Sequence, residues 1–123
     1  MDALGKILLV DDETGIRNLL SEVLSGEGFD VKVAKDGLES LDRLERDSFD
    51  LVITDINMPR LDGISMLKVM EREGRKEKVI IMSGTTVDRN KINRDLPDIV
   101  DRINKPFKIN KFLDLVTAAM ANQ

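Results

Sequence analysis

Five side chains able to do chemistry stand at the ends of short apolar runs in this sequence. Lys6-Ile7-Leu8-Leu9-Val10 stops at Asp11-Asp12, and Leu51-Val52-Ile53 stops at Thr54-Asp55. Val79-Ile80-Ile81-Met82 stops at Ser83-Gly84, and a weaker run with Ile99, Val100 and Ile103 stops at Lys105-Pro106. Three carboxylates in one pocket repel strongly at interior dielectric values, so either some hold protons or a cation sits among them. An acid-rich, all-oxygen site suits Mg²⁺, which keeps phosphate company, with Mn²⁺ as a substitute. Lys105 offers a second, mobile positive charge, and Ser83 offers a hydroxyl donor. Main-chain N–H groups near Gly84 can approach a ligand closely, because glycine has no side chain. Together these groups suit phosphoryl transfer: a carboxylate attacks phosphorus to give an acyl phosphate, and cation, lysine and hydroxyl share the charge. Asp55, alone at the end of a central run, is the natural nucleophile, and the Asp11-Asp12 pair suits the metal. No general base is required, since an aspartate is already ionised at neutral pH.

Each residue also has a plainer use. Asp-Asp after a strand can cap the following helix. A single Asp or a Ser-Gly pair often makes a turn, a lysine before proline is usually an exposed charge, and Asp62-Gly63 is most simply a turn into a helix. What favours chemistry is their joint placement at strand ends.

The positioning elements are read from periodicity. Ile16, Leu19, Leu20, Val23 and Leu24 form one helical stripe over residues 14–25, with Gly26 and Gly28 as the stop. Phe29, Val31 and Val33 alternate with polar residues, as a strand near a sheet edge should. Asp36-Gly37 turns into a helix bearing Leu38, Leu41 and Leu44, and later helices carry Ile64, Leu67 and Met70, then Ile109, Phe112, Leu113, Val116 and Met120. Residues 86–99 are harder to read. Val87, Ile92, Leu96 and Ile99 have roughly helical spacing, but the segment is charged and Pro97 interrupts it, which predicts a short, mobile or displaced fourth helix. Strand-helix alternation predicts an α/β, flavodoxin-like doubly wound fold, with a five-stranded parallel sheet and five helices in one domain over 1–123. The strand order 2-1-3-4-5 is one of two common choices, and in it the five polar ends converge on one rim, outside the carboxyl ends of the strands.

Composition narrows the function. The chain has no histidine and no cysteine, which removes His-based nucleophile systems, thiolate metal sites, disulfides and any phosphohistidine of its own. A net charge of -4, with 19 basic and 23 acidic residues, gives no general attraction to nucleic acid or anionic lipid. No apolar stretch nears the length of a membrane span, so a cytoplasmic protein without membrane association or direct nucleic-acid binding is expected.

Over nearly its whole length the sequence resembles the receiver domains of two-component response regulators. The resemblance rests on Ile7-Leu8-Leu9-Val10-Asp11-Asp12-Glu13, on Asp50 to Pro59 with Asp62-Gly63, on Ile80-Ile81-Met82-Ser83-Gly84 and on Asn104-Lys105-Pro106-Phe107. It implies Mg²⁺ held by Asp11, Asp12, Asp55 and the backbone carbonyl of Asn57. It implies that Asp55 accepts phosphate from the phosphohistidine of a sensor histidine kinase or phosphotransfer protein. Lys105 and Ser83 would contact the phosphoryl group, and the Lys105-Pro106 bond would be cis. Ser83 would then move toward the phosphoryl group and reshape the face built by the fourth helix, fifth strand and fifth helix, signalling to a downstream effector domain or protein. Asn57 and Thr85, both uncharged, would flank the phosphate with Gly84 and permit a moderately long-lived phosphoryl group. Kinase docking would use the first helix and adjoining loops.

The sequence departs from the family pattern at Ile103, where an aromatic reporter of the switch is usual, which puts aromatic coupling in doubt. Other readings are a Mg²⁺-dependent phosphohydrolase with an Asp nucleophile, flavodoxin-like FMN binding, and a phosphate-independent interaction module. The first wants a second acid where Asn57 stands. The second wants a phosphate loop where Asp11-Asp12-Glu13 stands, and aromatics, although Trp and Tyr are absent. The third ranks lower because all the site residues are present. No turnover of a free small molecule is expected. With no effector domain in 1–123, the chain reads as a stand-alone receiver or a piece of a longer regulator; no feature specifies dimerisation.

Overall fold

The computed structural model describes residues 4–84 and 99–121. Five strands, β1 (Lys6–Val10), β2 (Asp30–Ala34), β3 (Leu51–Asp55), β4 (Lys78–Ser83) and β5 (Ile99–Asn104), form one parallel sheet in the order β2-β1-β3-β4-β5. Four helices lie among the described residues: α1 (Thr14–Gly26), α2 (Gly37–Arg46), α3 (Gly63–Arg72) and α4 (Ile109–Ala121). The helix expected over residues 86–96 falls outside the described residues.

Burial on both faces explains the unbroken apolar runs of β1, β3 and β4. Successive side chains alternate between two cores. Ile7 and Leu9, Leu51 and Ile53, and Ile80 and Met82 pack with Leu20 and Leu24 of α1 and Phe112 and Val116 of α4. Leu8 and Val10, Val52, and Val79 and Ile81 pack with Leu44 of α2 and Met66, Leu67 and Met70 of α3. Each fully buried aliphatic contributes roughly 1.5–3 kcal/mol by leaving water, so the central strands anchor the sheet. The edge strand β2 buries fewer side chains, in keeping with its alternating sequence. Ile103 is buried in the α1–α4 core, where its branched side chain joins Phe112.

Local chemistry sets the helix starts beside the strand ends. Asp36 caps α2 by accepting the Glu39 N–H at 2.9 Å, and Asp62 caps α3 by accepting that of Ser65 at 2.8 Å. Among the described residues no helix is long and apolar enough to cross a membrane.

Candidate functional site

Strand register brings the reactive side chains level. Val10 pairs with Thr54, so Asp11 emerges beside Asp55; Asp55 pairs with Met82, and Ser83 with Asn104, so Ser83 and Lys105 follow on the next strands. Asp11, Asp12 and Asp55 bring carboxylate oxygens within 4.8 Å of one another, with Asp11 and Asp55 buried and Asp12 exposed. Lys105 Nζ joins two of them, donating to Asp11 Oδ2 at 2.8 Å and to Asp55 Oδ2 at 2.9 Å. The second oxygen of each buried acid has a main-chain donor. Asp11 Oδ1 accepts the Glu13 N–H at 2.9 Å, and Asp55 Oδ1 accepts the Ile56 N–H at 2.7 Å. The helix-capping alternative for the acidic pair is therefore set aside: the N-cap of α1 is Glu13, without a side-chain cap bond.

Lys105 is largely buried between these two carboxylates, its side chain 14% exposed. Burial pulls its pKa down, but the hydrogen bonds and charges of Asp11 and Asp55 outweigh that effect, and the ammonium ends above its ordinary value. Its own main chain is pinned too, since Lys105 N–H donates to the Ser83 carbonyl at 2.7 Å. The Lys105–Pro106 peptide is cis. Ser83 is buried at the end of β4, Gly84 and Asn57 are exposed, and Thr85 lies outside the described residues.

Comparison with known proteins agrees with this geometry. The family profile of the response regulator receiver domain matches residues 7–117. This chain belongs to that family. The receiver domain is 38% identical over 112 residues to sporulation initiation phosphotransferase F of Bacillus subtilis, covering 90% of each chain. It is 44% identical over 88 residues to the transcriptional regulatory protein CpxR of Escherichia coli, spanning 70% of this chain and 37% of that longer protein. Among solved structures it is similar to the receiver domain of the Francisella response regulator 1452 (TM-score 0.85, 29% identity, 96% and 98% of the two chains). It is also similar to the chemotaxis response regulator CheY4 of Vibrio cholerae (TM-score 0.83, 26% identity, 97% and 99%). As a receiver domain of a two-component response regulator, the chain has a phosphoacceptor role.

The acidic pocket of the receiver domain fits a divalent cation. Three carboxylates cluster and one ammonium pairs with two of them, Asp11 and Asp55, which leaves excess negative charge. All the clustered donors are oxygens, the set Mg²⁺ prefers.

Sequence reasoning missed several supporting residues. Arg17 of α1 donates from a guanidinium nitrogen to the Asp11 carbonyl at 2.9 Å, and Thr54 Oγ1 donates to the Asp55 carbonyl at 2.8 Å. Arg60 reaches Asp36 at the start of α2, and Gly63 packs directly on the Asp55 carbonyl. Arg17 sits on the turn of α1 nearest the acidic pair, a faint signal; the Thr54 bond is local to β3, and the contacts of Arg60 and Gly63 depend on how the loop after Asp55 folds back.

Proposed function

We propose that Asp55 is the phosphoacceptor and that a phosphohistidine of a sensor histidine kinase or phosphotransfer protein is the donor. The observation that carries this reading is the bridge of Lys105 between Asp11 and Asp55, which joins residues 94 and 50 positions apart at a single ammonium. In the transfer, a carboxylate oxygen of Asp55 bonds to phosphorus while the phosphorus–nitrogen bond breaks, and the imidazole leaves with the electron pair. Asp55 Oδ1 is anchored by the Ile56 N–H, which fixes the direction of the carboxylate before phosphate arrives. Lys105 stays charged, so its Nζ can exchange a carboxylate contact for one with a phosphoryl oxygen and stabilise the charge there. Asp11, Asp12, Asp55 and the Asn57 main-chain carbonyl would hold Mg²⁺, which would neutralise charge on the transferring oxygens. Ser83 then donates its hydroxyl to a phosphoryl oxygen, and its movement carries the end of β4 and alters the β5–α4 side of the sheet for an effector.

Intact mass measured after incubation with acetyl phosphate and Mg²⁺ tests this. Gain of one phosphoryl group, abolished by a chelator and by Asp55→Asn, is the expected result. A gain that survives Asp55→Asn assigns the acceptor elsewhere. No gain, even with a histidine-phosphorylated donor, would favour a phosphate-independent interaction module.

A further inference from the structure

The loop after Asp55 holds a strained turn. Among the described residues Arg60 is the non-glycine position with positive φ, at 68°. The Leu61 N–H donates to the Pro59 carbonyl at 2.8 Å, so residues 59–61 form a γ-turn of the rare, positive-φ hand. Such strain persists when the surroundings over-determine it, and it collects at functional sites.

Here the surroundings are the start of α2. Arg60 Nε lies 3.1 Å from Oδ2 of Asp36, a residue only 2% exposed. The other oxygen of Asp36 is committed to the α2 cap, so the carboxylate cannot turn away without uncapping the helix. Its neighbour Gly37 donates its N–H to the Leu61 carbonyl at 3.0 Å, and a Cβ on Gly37 would lie 2.4 Å from that oxygen. The loop also closes on itself, with the Gly63 N–H donating to the Ile56 carbonyl at 2.8 Å. Asn57 therefore sits in a backbone loop tied at its base and clamped at its far side.

We propose that Asp36 and Arg60 are positioning residues for the cation site. Their ion pair holds the strained turn, and through it the main chain of Asn57, in the shape from which Mg²⁺ takes a ligand. This inference rests on the Mg²⁺ reading of the acidic pocket. Sign separates it from simple electrostatics: removing a cation near the pocket strengthens Mg²⁺ binding by Coulomb's law alone, whereas losing the clamp weakens it.

Isothermal titration of Mg²⁺ into the full chain, compared among wild type, Arg60→Gly and Arg60→Lys, decides the matter. Urea unfolding in EDTA runs alongside. Glycine accepts the positive φ without steric conflict, which offsets the lost partner of Asp36, so the unfolding midpoint of Arg60→Gly stays near that of wild type. Its Mg²⁺ dissociation constant rises about tenfold, the lower end of what outer-shell partners of metal ligands contribute. Arg60→Lys, which retains the charge opposite Asp36, stays near wild type. Equal or tighter Mg²⁺ binding by Arg60→Gly overturns the proposal while leaving the phosphoacceptor reading intact, and so does failure of lysine to restore affinity. A wild-type chain that binds no Mg²⁺ overturns the reading of the pocket and this inference together.

Discussion

Lys105→Met is the substitution whose consequence can be worked out most fully from the structure. Methionine keeps most of the apolar stem but removes the ammonium from between Asp11, which is 0% exposed, and Asp55, which is 6% exposed. Removing one partner of a buried ion pair costs about 3–5 kcal/mol. The lower end applies here, because each carboxylate keeps a main-chain N–H donor and the rim beside Asp12 is open. With a urea slope of about 1.5 kcal/mol/M, a loss of about 3 kcal/mol lowers the unfolding midpoint by about 2 M in EDTA. Far-UV circular dichroism is the suitable probe, as the chain has neither Trp nor Tyr. Saturating Mg²⁺ should return more stability to the variant than to wild type, because the metal supplies the charge the variant lacks. Raising the pH adds a second check. The folded pKa of Lys105 lies above its ordinary 10.5, burial being outweighed by the two carboxylates, so its stabilisation is complete below 10.5 and is lost as pH climbs through the folded value. Wild type and variant should converge there. An equal loss with and without Mg²⁺ would mean that Lys105 acts through packing, and no loss at all would refute the pairing argument.

Two further substitutions probe the frame around the site. Gly63→Ala places a Cβ 2.2 Å from the Asp55 carbonyl oxygen and 2.9 Å from Ile56 Cα, both main-chain atoms that can yield only by moving the acceptor strand. Urea unfolding should show a net loss of about 2 kcal/mol despite alanine's better helix propensity, whereas Gly15→Ala, where a Cβ meets open space, should gain up to about 1 kcal/mol. At the opposite end of the sheet, buried Glu77 accepts from Arg75 at 2.6 and 3.0 Å and from the Phe49 N–H at 3.1 Å. Burial raises the Glu77 pKa, but Arg75 and Phe49 outweigh it and hold the group below its ordinary 4.5, so its contribution is present above 4.5 and is lost as pH falls through the folded value. Arg75→Met should cost about 3 kcal/mol at neutral pH and flatten the acid limb of the stability profile; an unchanged acid limb would assign acid sensitivity to other groups.

How far the sequence could be read depended on whether a feature was local. The run Val79-Ile80-Ile81-Met82 needs only its own hydrophobicity to announce a strand buried on both faces, and β4 is found there. Asp36-Gly37 and Asp62-Gly63 are legible as turns into helices, and the structure adds that both aspartates cap those helices, a contact that acts within three residues. Lys105 is legible as a charge at the strand-end rim, but its bonds to Asp11 and Asp55 span 94 and 50 residues and carry no local signal. Arg60 gave no signal at all. Its side chain is 53% exposed, and neither its φ of 68° nor its approach to Asp36 can be seen without the loop in place.

The amino-acid order by itself determined the alternation of strands and helices, the two-faced burial of the central strands and the polar residues that end them, because these follow from short-range periodicity and side-chain chemistry. Tertiary structure alone decided the register that sets Asp11 beside Asp55, the ammonium that joins them and the ion pair of Arg60 with Asp36. Those depend on contacts between residues far apart in the chain, whose geometry exists only once the strands have paired and the cores on the two faces of the sheet have packed.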